Sequence, residues 1–512
     1  MHEIELKFQV PAAQRAAVDA AVAGRSGRPR MRLQAAYFDT AGGALAAAGL
    51  ALRLRREGRQ WVQTLKGATD DGMTRLEHNV PRGGASAAPQ IDPALHSGMP
   101  VGEALLGLLA SAGDGTLTML YRTDILRRTH ALRVPGGRVE LAFDAGSILA
   151  GERHIGVCEL EIELLAGSPL AVLATARRWA PRFGLWLDTR SKAERGDLLA
   201  RGEAMAPPRL GGPVTLTAAM DAASAWQVVL RSCSDQILVN ASQIASGEHA
   251  PEHVHQLRVG LRRLRSAQRL FEGLGAEAAL GDAAAALFRR LGGARDMVVI
   301  EGEFAAELIE AMRSAGVSGE VPVAVPAGDE ASPAEVLREK ASQMLMLDLL
   351  TAAHTPDALV APIDVAIAEA TDGEAPEAMP ALRDALAQRL NRWHRQVVAD
   401  VTRFNELDDA SRHQLRKRAK RLRYAAEFSG SLFERRALRR YLKVLRALQE
   451  RLGALCDVMM AMQTFARTRD ADPRAMFALG WLAARRKRLI ADAAPELKAF
   501  ARVERFWKCG RK

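Results

Sequence analysis

The 512-residue chain is poor in cysteine and in aromatic residues, and it contains no long apolar run. Its four cysteines, Cys158, Cys233, Cys456 and Cys509, form no CxxC pair, so the sequence predicts neither a disulfide framework nor a zinc site. No stretch of about 18 apolar residues indicates a membrane span. The start, MHEIELKFQV, is acidic and alternating, unlike a signal peptide. We therefore expect a cytoplasmic protein that does not bind membranes.

Positive charge is what the chain has in excess. Lys and Arg number 71 against 60 Asp and Glu, which gives a net charge of +11. This excess favours a polyanionic partner such as nucleic acid, a phosphate compound or an acidic membrane, and charge alone leaves that choice open. The length exceeds that of one hydrophobic core, so two or three domains are expected.

The hydrophobic period changes near residue 200. Before it, segments such as EIELKF (3–8), ALRLRR (51–56), RVELAFD (138–144) and CELEIELL (158–165) alternate with period two and predict strands of an antiparallel sheet. Helices are expected near 11–23, 101–111 and 168–183. Beyond it, the period is helical. We predict an α+β protein with a sheet domain over 1–203, a Pro- and Gly-rich linker over 204–217 and an all-α domain over 218–507.

The helical part contains an internal repeat. HQLRVGLRRLR begins at His255 and HQLRKRAKRLR at His413, with seven of eleven positions identical. GGARD follows the first copy and GALCD the second, at similar separations. The sequence therefore predicts a helical bundle with pseudo-two-fold repeats over about 218–317 and 335–507.

Charged residues occupy one face of strand after strand in the sheet part. Period two places Glu3, Glu5 and Lys7 on the face opposite Ile4 and Leu6. Taken alone, this is the solvated face of an edge strand. Because the pattern recurs, a curled sheet would enclose these charges, at a cost that a ligand must offset. Clustered carboxylates suit Mg²⁺ or Mn²⁺, and clustered Arg and Lys suit phosphate oxygens.

The ordered series ExExK, LRLR, TLKG, TRLEHN, ELAFDAG, CELEIEL and SKAERG resembles the CYTH family of triphosphate tunnel metalloenzymes over about residues 1–203. That family includes inorganic triphosphatases, thiamine triphosphatases and class IV adenylate cyclases. The resemblance implies an eight-stranded antiparallel tunnel, or barrel, with flanking helices that binds triphosphate together with Mg²⁺ or Mn²⁺.

The resemblance also assigns roles to residues. The implied metal ligands are Glu3, Glu5, Glu77, Asp144, Glu161 and Glu163. The implied triphosphate contacts are Lys7, Arg53, Arg55, Lys66, Arg75, Arg122 and Lys192, with Arg127 as the alternative to Arg122. Glu3, Glu5 and Lys7 form the signature on which catalysis is expected to depend.

Each copy of the repeat places a histidine and several cations on one helical stripe. The first stripe carries His255, Arg258, Arg262 and Arg265, and the second carries His413, Arg416, Lys417, Lys420 and Arg423. These cations could pair with acids of neighbouring helices. Over about 218–507 the chain resembles the CHAD family, the conserved-histidine α-helical domain, which implies a surface that binds inorganic polyphosphate. Cys456 stands where the first copy has Arg295, so the two copies are expected to differ.

The sequence thus predicts a metal-dependent inorganic triphosphatase, a hydrolase acting on phosphoric anhydrides, with a polyphosphate-binding helical domain and an association with polyphosphate granules. One alternative is an organic substrate, either thiamine triphosphate or ATP, including cyclisation of ATP. Another is a binding protein without turnover. Nucleic acid is disfavoured as a partner because the basic stripes lack interleaved aromatic residues. The metal preference and the oligomeric state stay open.

Overall fold

Two units divide the part of the chain that the computed structural model describes, which is residues 2–25, 27–68, 73–84, 86–111, 115–274, 279–292, 300–322, 331–354 and 381–508. Unit 1 comprises Met1–Arg209, Ile237–His253 and Ala334–Thr355. Unit 2 comprises Leu210–Gln236, Val254–Pro333 and Pro356–Lys512. Unit 1 therefore takes in two segments of the predicted helical domain.

The period-two segments of unit 1 form one antiparallel sheet. Its strands are β1 (His2–Gln9), β2 (Met31–Asp39), β3 (Leu50–Glu57), β4 (Gln60–Ala68), β5 (Thr74–Pro81), β6 (Thr118–Val134), β7 (Gly137–Ala150), β8 (Arg153–Gly167) and β9 (Trp186–Leu187). The prediction of an N-terminal antiparallel sheet is confirmed.

The first eight strands close on themselves. The order is β5-β4-β3-β2-β6-β7-β8-β1-β9, and β1 pairs with β5 as well as with β8. The pairing with β5 runs through His2, Glu3 and Ile4, and that with β8 through Glu5–Gln9. Within the described residues the sheet has nine strands rather than the predicted eight, because Trp186 and Leu187 add a short strand at Phe8 and Gln9.

Apolar side chains cover the outside of this closed sheet. Leu52 and Leu65 are almost fully buried against Val101 and Leu105 of a helix that lies on the sheet. Since side chains alternate along a strand, this packing leaves the charged neighbours of Leu52 and Leu65 on the opposite face. The helices of the sheet region are α1 (Arg15–Ala23), α2 (Ala44–Ala47), α3 (Pro100–Ser111), α4 (Pro169–Phe183) and α5 (Lys192–Arg201).

Helices predominate in the described chain beyond residue 221, which confirms the predicted C-terminal helical region. They are α6 (Ala222–Ala245), α7 (Pro251–Leu270), α8 (Ala279–Arg290), α9 (Ala305–Ser314), α10 (Pro333–Arg338), α11 (Lys340–His354), α12 (Leu382–Thr402), α13 (Asp409–Ser429), α14 (Arg435–Ala466), α15 (Arg474–Ala491) and α16 (Ala494–Ala501). None of the helices in the described ranges is both long and apolar enough to cross a membrane.

The two predicted basic stretches lie on α7 and α13. Their apolar stripes are fully buried, through Leu257, Leu261 and Leu264 in α7 and through Leu415 and Leu422 in α13. Burial of these two or three leucines stabilises each helix by several kcal/mol, enough to hold a helix whose adjacent cations repel one another. The pseudo-two-fold relation between the repeats stays a prediction.

Candidate functional site

Charged residues of β1 face charged residues of β8 inside the closed sheet. In the register of the two strands, Glu5 lies opposite Glu163 and Lys7 opposite Glu161. Lys7 is buried, and its Nζ donates to the carbonyl oxygen of Arg190 at 3.0 Å. The interior therefore holds charges of both signs, shielded from bulk water.

One group of interior charges surrounds Lys66, and we call it the Lys66 cluster: Glu3, Arg53, Lys66 and Glu77. The Nζ of Lys66 lies 2.5 Å from Oε2 of Glu3 and 3.0 Å from Oε2 of Glu77. A guanidinium nitrogen of Arg53 lies 4.0 Å from Glu77, and another donates to the hydroxyl of Tyr37 at 3.4 Å. Strand pairing explains the arrangement, since Lys66 and Glu77 are opposite each other on β4 and β5.

The two carboxyls of the Lys66 cluster share one proton. Burial, together with the negative charge of Glu5, raises the pKa of Glu3 to about 8, although Lys66 acts in the opposite direction. Burial also disfavours the charged form of Glu77, but a hydrogen bond from Glu3 and the charges of Lys66 and Arg53 hold the pKa of Glu77 below its usual value. At neutral pH, Glu3 thus keeps its proton and donates it to ionised Glu77.

A second group surrounds Lys192, and we call it the Lys192 cluster: Arg127, Asp144, Glu159, Glu161, Lys192 and Arg195. The Nζ of Lys192 lies 2.6 Å from Asp144 and 2.8 Å from Glu161, and it also donates to Glu159. The side chains of Asp144 and Glu159 are fully buried. One oxygen from each of the three carboxylates lies within 4.8 Å of the others.

Three cations neutralise these carboxylates. Arg127 pairs with Asp144 at 2.6 Å and also contacts Glu161, and Arg195 pairs with Glu159. Burial opposes the charged form of Glu161, but Arg127 and Lys192 hold its pKa well below the usual range. Burial alone would lower the pKa of Lys192, but the negative charges of the three carboxylates outweigh this effect and raise it. The ammonium of Lys192 thus lies at the point where three carboxylate oxygens meet. Oxygen ligands of this kind are the ones that Mg²⁺ and Mn²⁺ prefer.

Local structure fixes the position of Lys192. It is the first residue of α5, whose start is a capping box in which the hydroxyl of Ser191 accepts from the Glu194 amide and the Glu194 carboxylate accepts from the Ser191 amide. Arg195 follows on the same helix, near Lys192 in space as in sequence. The helix therefore delivers two cations to the Lys192 cluster together.

The structure separates the two arginines between which the sequence left a choice. Arg127 lies in the Lys192 cluster, whereas Arg122, five residues earlier on β6, is exposed on the opposite face of the strand. The two arginines are five positions apart, an odd offset, so alternation along the strand puts their side chains on different faces. We correct the candidate set accordingly, with Arg127 in place of Arg122.

The other predicted residues of the sheet are distributed around these clusters. The Nε of Arg55 donates to Glu57 at 2.6 Å, and Glu163 is half-buried beside Glu5. Arg75 lies opposite Glu3 in the register, and its side chain is outside the described part of the chain. Two members of the Lys192 cluster were not predicted: Glu159 continues the alternation of Glu161 and Glu163, a signal that could have found it, and Arg195 becomes recognisable only once α5 is placed.

Unit 2 contains a cavity of about 990 Å³ between the basic helices α7 and α13. Among the described residues, nine Arg and Lys side chains and two carboxylates line it, so basic side chains outnumber acidic ones by seven. The cationic lining is Arg258, Arg262, Arg265, Arg269, Arg416, Lys417, Arg418, Lys420 and Arg421, accompanied by His255 and His413, and the carboxylates are Asp409 and Asp457.

Burial and the positive charges around the cavity lower the pKa values of two of its lining side chains. Burial, followed by the positive charges of Arg416 and Arg262, lowers the pKa of Lys420 to about 6, and Asp457 offsets this only in part. Burial and the nearby Lys417 lower the pKa of His413 as well. Because of these shifts, the cavity holds fewer positive charges at pH 7 than its composition suggests. A bound anion would raise both pKa values, and the two side chains would then take up protons.

Three features refine the predicted stripes. Arg258 stacks on the ring of Phe288 at 4.2 Å, so part of its surface is engaged, and Arg416 lies 3.6 Å from Asp457. Arg423 does not line the cavity, and its guanidinium lies 3.5 Å from Glu427. The Arg295 and Asp296 positions of the first copy lie outside the described residues.

Comparison with known proteins gives two domain matches. Residues 1–196 match the model of the CYTH domain, and residues 228–466 match that of the CHAD domain. Over 168 residues the chain is 28% identical to an inorganic triphosphatase of Haemophilus influenzae, a match that covers 32% of this chain and 44% of that protein. The chain thus matches less than half the length of this relative.

Two solved structures are similar to parts of the chain. The CHAD domain of the plant Ricinus communis is 26% identical with a TM-score of 0.46, covering 59% of this chain and 98% of that one. A putative adenylyl cyclase from Hippeastrum, described as having a dominant triphosphatase activity, is 18% identical with a TM-score of 0.28. The match covers 40% of this chain and 97% of that one.

The half-buried carboxyl of Glu163 generates a testable pH dependence. Burial, then the charge of Glu5, raises its pKa from 4.5 to about 7. Between pH 4.5 and about pH 7, the folded chain holds a proton that the unfolded chain has released. The free energy of unfolding therefore falls as the pH rises through this range. In EDTA at pH 8, Glu163→Gln should therefore raise the unfolding temperature by about 2–4 °C, the effect of about 1 kcal/mol after solvent screening.

At pH 4 the same substitution should have no effect, because both states are then protonated. Glu152→Gln, at an exposed turn between β7 and β8, is the matched control and should change neither midpoint. Thermal unfolding at both pH values measures the difference. An equal effect of Glu163→Gln at pH 4 and pH 8 contradicts the assigned protonation.

Proposed function

The chain belongs to the CYTH family through residues 1–196 and to the CHAD family through residues 228–466, and on this premise we propose that its closed sheet hydrolyses inorganic triphosphate to pyrophosphate and phosphate. One observation carries the proposal: the interior of the sheet is lined by carboxylates and by cations, in contact with each other and shielded from water. A metal–triphosphate complex presents the complementary charges to both.

The residues present fit a divalent cation. Asp144, Glu159 and Glu161 offer three converging oxygens, and Glu3, Glu5, Glu77 and Glu163 add four carboxyls, the donor type that Mg²⁺ and Mn²⁺ prefer. When bound, the ion neutralises triphosphate charge and lowers the pKa of coordinated water. Lys192 would give up its place among the three carboxylates and become available to a phosphate oxygen. Glu3 would lose its shared proton, because a cation beside it favours the ionised carboxylate.

The cations of the interior supply the remaining contacts. We assign triphosphate oxygens to Lys7, Arg53, Arg55, Lys66, Arg127 and Lys192, and Arg75 is kept as a contact on the family resemblance alone. In phosphoryl transfer, positioning and electrostatic stabilisation account for most of the rate acceleration. The buried guanidinium groups are already held in the interior before the substrate arrives, and with the ammonium groups they would stabilise the charge that develops on the transferred phosphoryl group and on the pyrophosphate that leaves.

Phosphate release from several substrates tests this function. With Mg²⁺ or Mn²⁺, the wild type should release phosphate from triphosphate with a higher kcat/KM than from ATP or thiamine triphosphate, and it should form no cyclic AMP. Arg127→Ala should lower kcat/KM for triphosphate by about a hundredfold, the loss expected for one preorganised donor.

Arg122→Ala is the matched control, since it removes an exposed arginine of the same strand and should leave kcat/KM unchanged. Faster turnover of ATP or of thiamine triphosphate would identify an organic substrate instead. No turnover with either metal would indicate a binding protein. Equal losses in the two arginine variants would contradict the choice of Arg127.

For the helical part, the cavity between α7 and α13 supports binding of inorganic polyphosphate. Around this cavity of about 990 Å³, Arg and Lys side chains outnumber carboxylates by seven, and a linear polyanion with one charge per phosphate can neutralise the excess. Contacts are assigned to His255, Arg258, Arg262, Arg265, His413, Arg416, Lys417 and Lys420, and Arg269, Arg418 and Arg421 join them because they line the same cavity. Arg423 is left out.

Polyphosphate binding should take up protons. A bound polyanion favours the charged forms of Lys420 and His413, whose pKa values are lowered in the free protein, to about 6 for Lys420. At pH 7.5 we expect uptake of about one proton per site, so affinity should fall as the pH rises above 6. Titration calorimetry in buffers of different ionisation enthalpy measures this number.

Lys420→Gln is the control, and it should abolish most of the uptake while keeping the shape of the side chain. Long RNA titrated at the same salt tests the other polyanion. Binding of polyphosphate without proton uptake, or tighter binding of RNA, would contradict the assignment.

A further inference from the structure

The segment between β9 and α5 joins the Lys192 cluster to β1. Residues 188–191 run from the end of β9 to the first residue of α5, Lys192. The amide of Asp188 donates to the carbonyl oxygen of Lys7 at 2.9 Å, and the ammonium of Lys7 donates to the carbonyl oxygen of Arg190 at 3.0 Å. The path of this segment therefore fixes both the interior lysine of β1 and the start of α5.

Asp188 ties the same segment to the carboxylates. Its buried carboxylate accepts from Nε and Nη2 of Arg190, both at 2.9 Å, and from the Arg190 amide at 3.0 Å. It also accepts from Nε2 of Gln9 at 3.0 Å, and that nitrogen lies 3.3 Å from Glu159. The segment is thus one part of a continuous hydrogen-bonded network that ends in the Lys192 cluster.

Two buried side chains of later helices hold the backbone of this segment. The Oε1 of Gln343, on α11, accepts from the amide of Leu187 at 2.7 Å, while its Nε2 donates to the carbonyl oxygen of Leu337 at 2.7 Å. The hydroxyl of Ser242, on α6, accepts from the amide of Thr189 at 3.0 Å and donates to the carbonyl oxygen of Leu187 at 3.3 Å. Gln343 and Ser242 are 4% and 2% exposed, so water cannot replace them without rearrangement.

The segments that carry these two side chains, residues 237–245 of α6 and the helix α11, both belong to unit 1 and make further contacts there. The Nε of Arg338 donates to the carbonyl oxygen of Ala245 at 2.6 Å, and its guanidinium stacks on Trp186 of β9 at 5.6 Å. Arg177 of α4 pairs with Asp348 of α11. Ser242 and Gln343 are therefore held at defined positions against the 187–189 backbone.

We propose that Ser242 and Gln343 are positioning residues for the chemistry of the closed sheet, an inference that rests on the proposed triphosphatase function. By holding residues 187–189, they set the start of α5 and with it the positions of Lys192 and Arg195. A displacement of about 1 Å at groups that must meet a substrate can lower the rate by up to about a hundredfold. The helical half of the sequence thus supplies part of the support of the tunnel site, and the sheet residues alone do not complete it.

Ser242→Ala in the full-length chain is the principal test, because it removes a single oxygen and leaves the helix intact. Ser234→Ala is the matched control: it makes the same change at another buried serine of α6, far along the helix from this segment. Gln343→Leu is the second variant. Each protein is compared for kcat and KM with triphosphate, for triphosphate affinity by calorimetry, for unfolding temperature, and for amide exchange of the peptide that contains residues 186–191.

We expect Ser242→Ala and Gln343→Leu to speed amide exchange in this peptide and to lower kcat/KM for triphosphate by about tenfold. Ser234→Ala should change neither quantity. A variant with faster exchange but wild-type kcat/KM overturns the positioning role, as does an equal loss of kcat/KM in Ser234→Ala.

Failure of the proposed function gives a different result. If the wild type binds triphosphate without hydrolysing it, the triphosphatase proposal fails, and the calorimetric affinities decide the positioning role: weaker binding by Ser242→Ala supports it and equal binding overturns it. A wild type that neither hydrolyses nor binds triphosphate overturns both.

Discussion

The ammonium of Lys192, held among three carboxylates inside the closed sheet, is the interaction on which the rest of the site depends. Three buried carboxylates in such a small volume repel one another strongly, and an unpaired buried charge costs several kcal/mol. Lys192, Arg127 and Arg195 offset this cost by forming ion pairs with the carboxylates. In the folded chain, the carboxylates that could bind a metal ion are thus paired with cations that could bind phosphate. A metal–triphosphate complex can exchange with these pairs without leaving a charge unpaired.

In the helices, the cost of bringing like charges together falls on cations instead of carboxylates. There the cations of α7 and α13 greatly outnumber the acids around them, and the chain lowers the cost by holding Lys420 largely uncharged rather than by pairing it. The interior of the sheet is thus neutralised by its own residues, whereas the helical cavity has a large excess of positive charge that a ligand must neutralise. This difference agrees with the two proposed roles, exchange of substrate in the sheet and retention of a polyanion in the helices.

Much of this arrangement was predictable because short-range rules decide it. Period two places Arg53 opposite Leu52 and Leu54, and burial of the leucines leaves the arginine facing the interior. The helical stripes of α7 and α13 follow from the same kind of argument. The antiparallel sheet and the helical region were predicted on this basis and are confirmed. The CYTH and CHAD domains were predicted from the resemblance of the ordered motifs, and the domain matches confirm them.

What the sequence could not supply depends on contacts between distant segments. Choosing between Arg122 and Arg127 requires knowing which face of β6 points to the interior of the sheet. The sequence around each arginine fits the family pattern equally well, so it does not decide between the two faces. Arg195 enters the site through the direction of α5, and Ser242 and Gln343 through packing across more than fifty and more than one hundred residues of chain. The short strand β9 has no period that two residues can reveal, so the ninth strand was missed.

Metal affinity without substrate tests the central claim most directly. If the ammonium of Lys192 occupies the place of a divalent cation, replacing it by the near-isosteric, uncharged side chain in Lys192→Met should tighten Mn²⁺ binding by at least about tenfold, or 1.4 kcal/mol. The electron paramagnetic resonance signal of free Mn²⁺ gives both affinities. The account predicts the tighter binding in Lys192→Met and its loss when Glu161→Gln is added, and equal or weaker Mn²⁺ binding by Lys192→Met would contradict it.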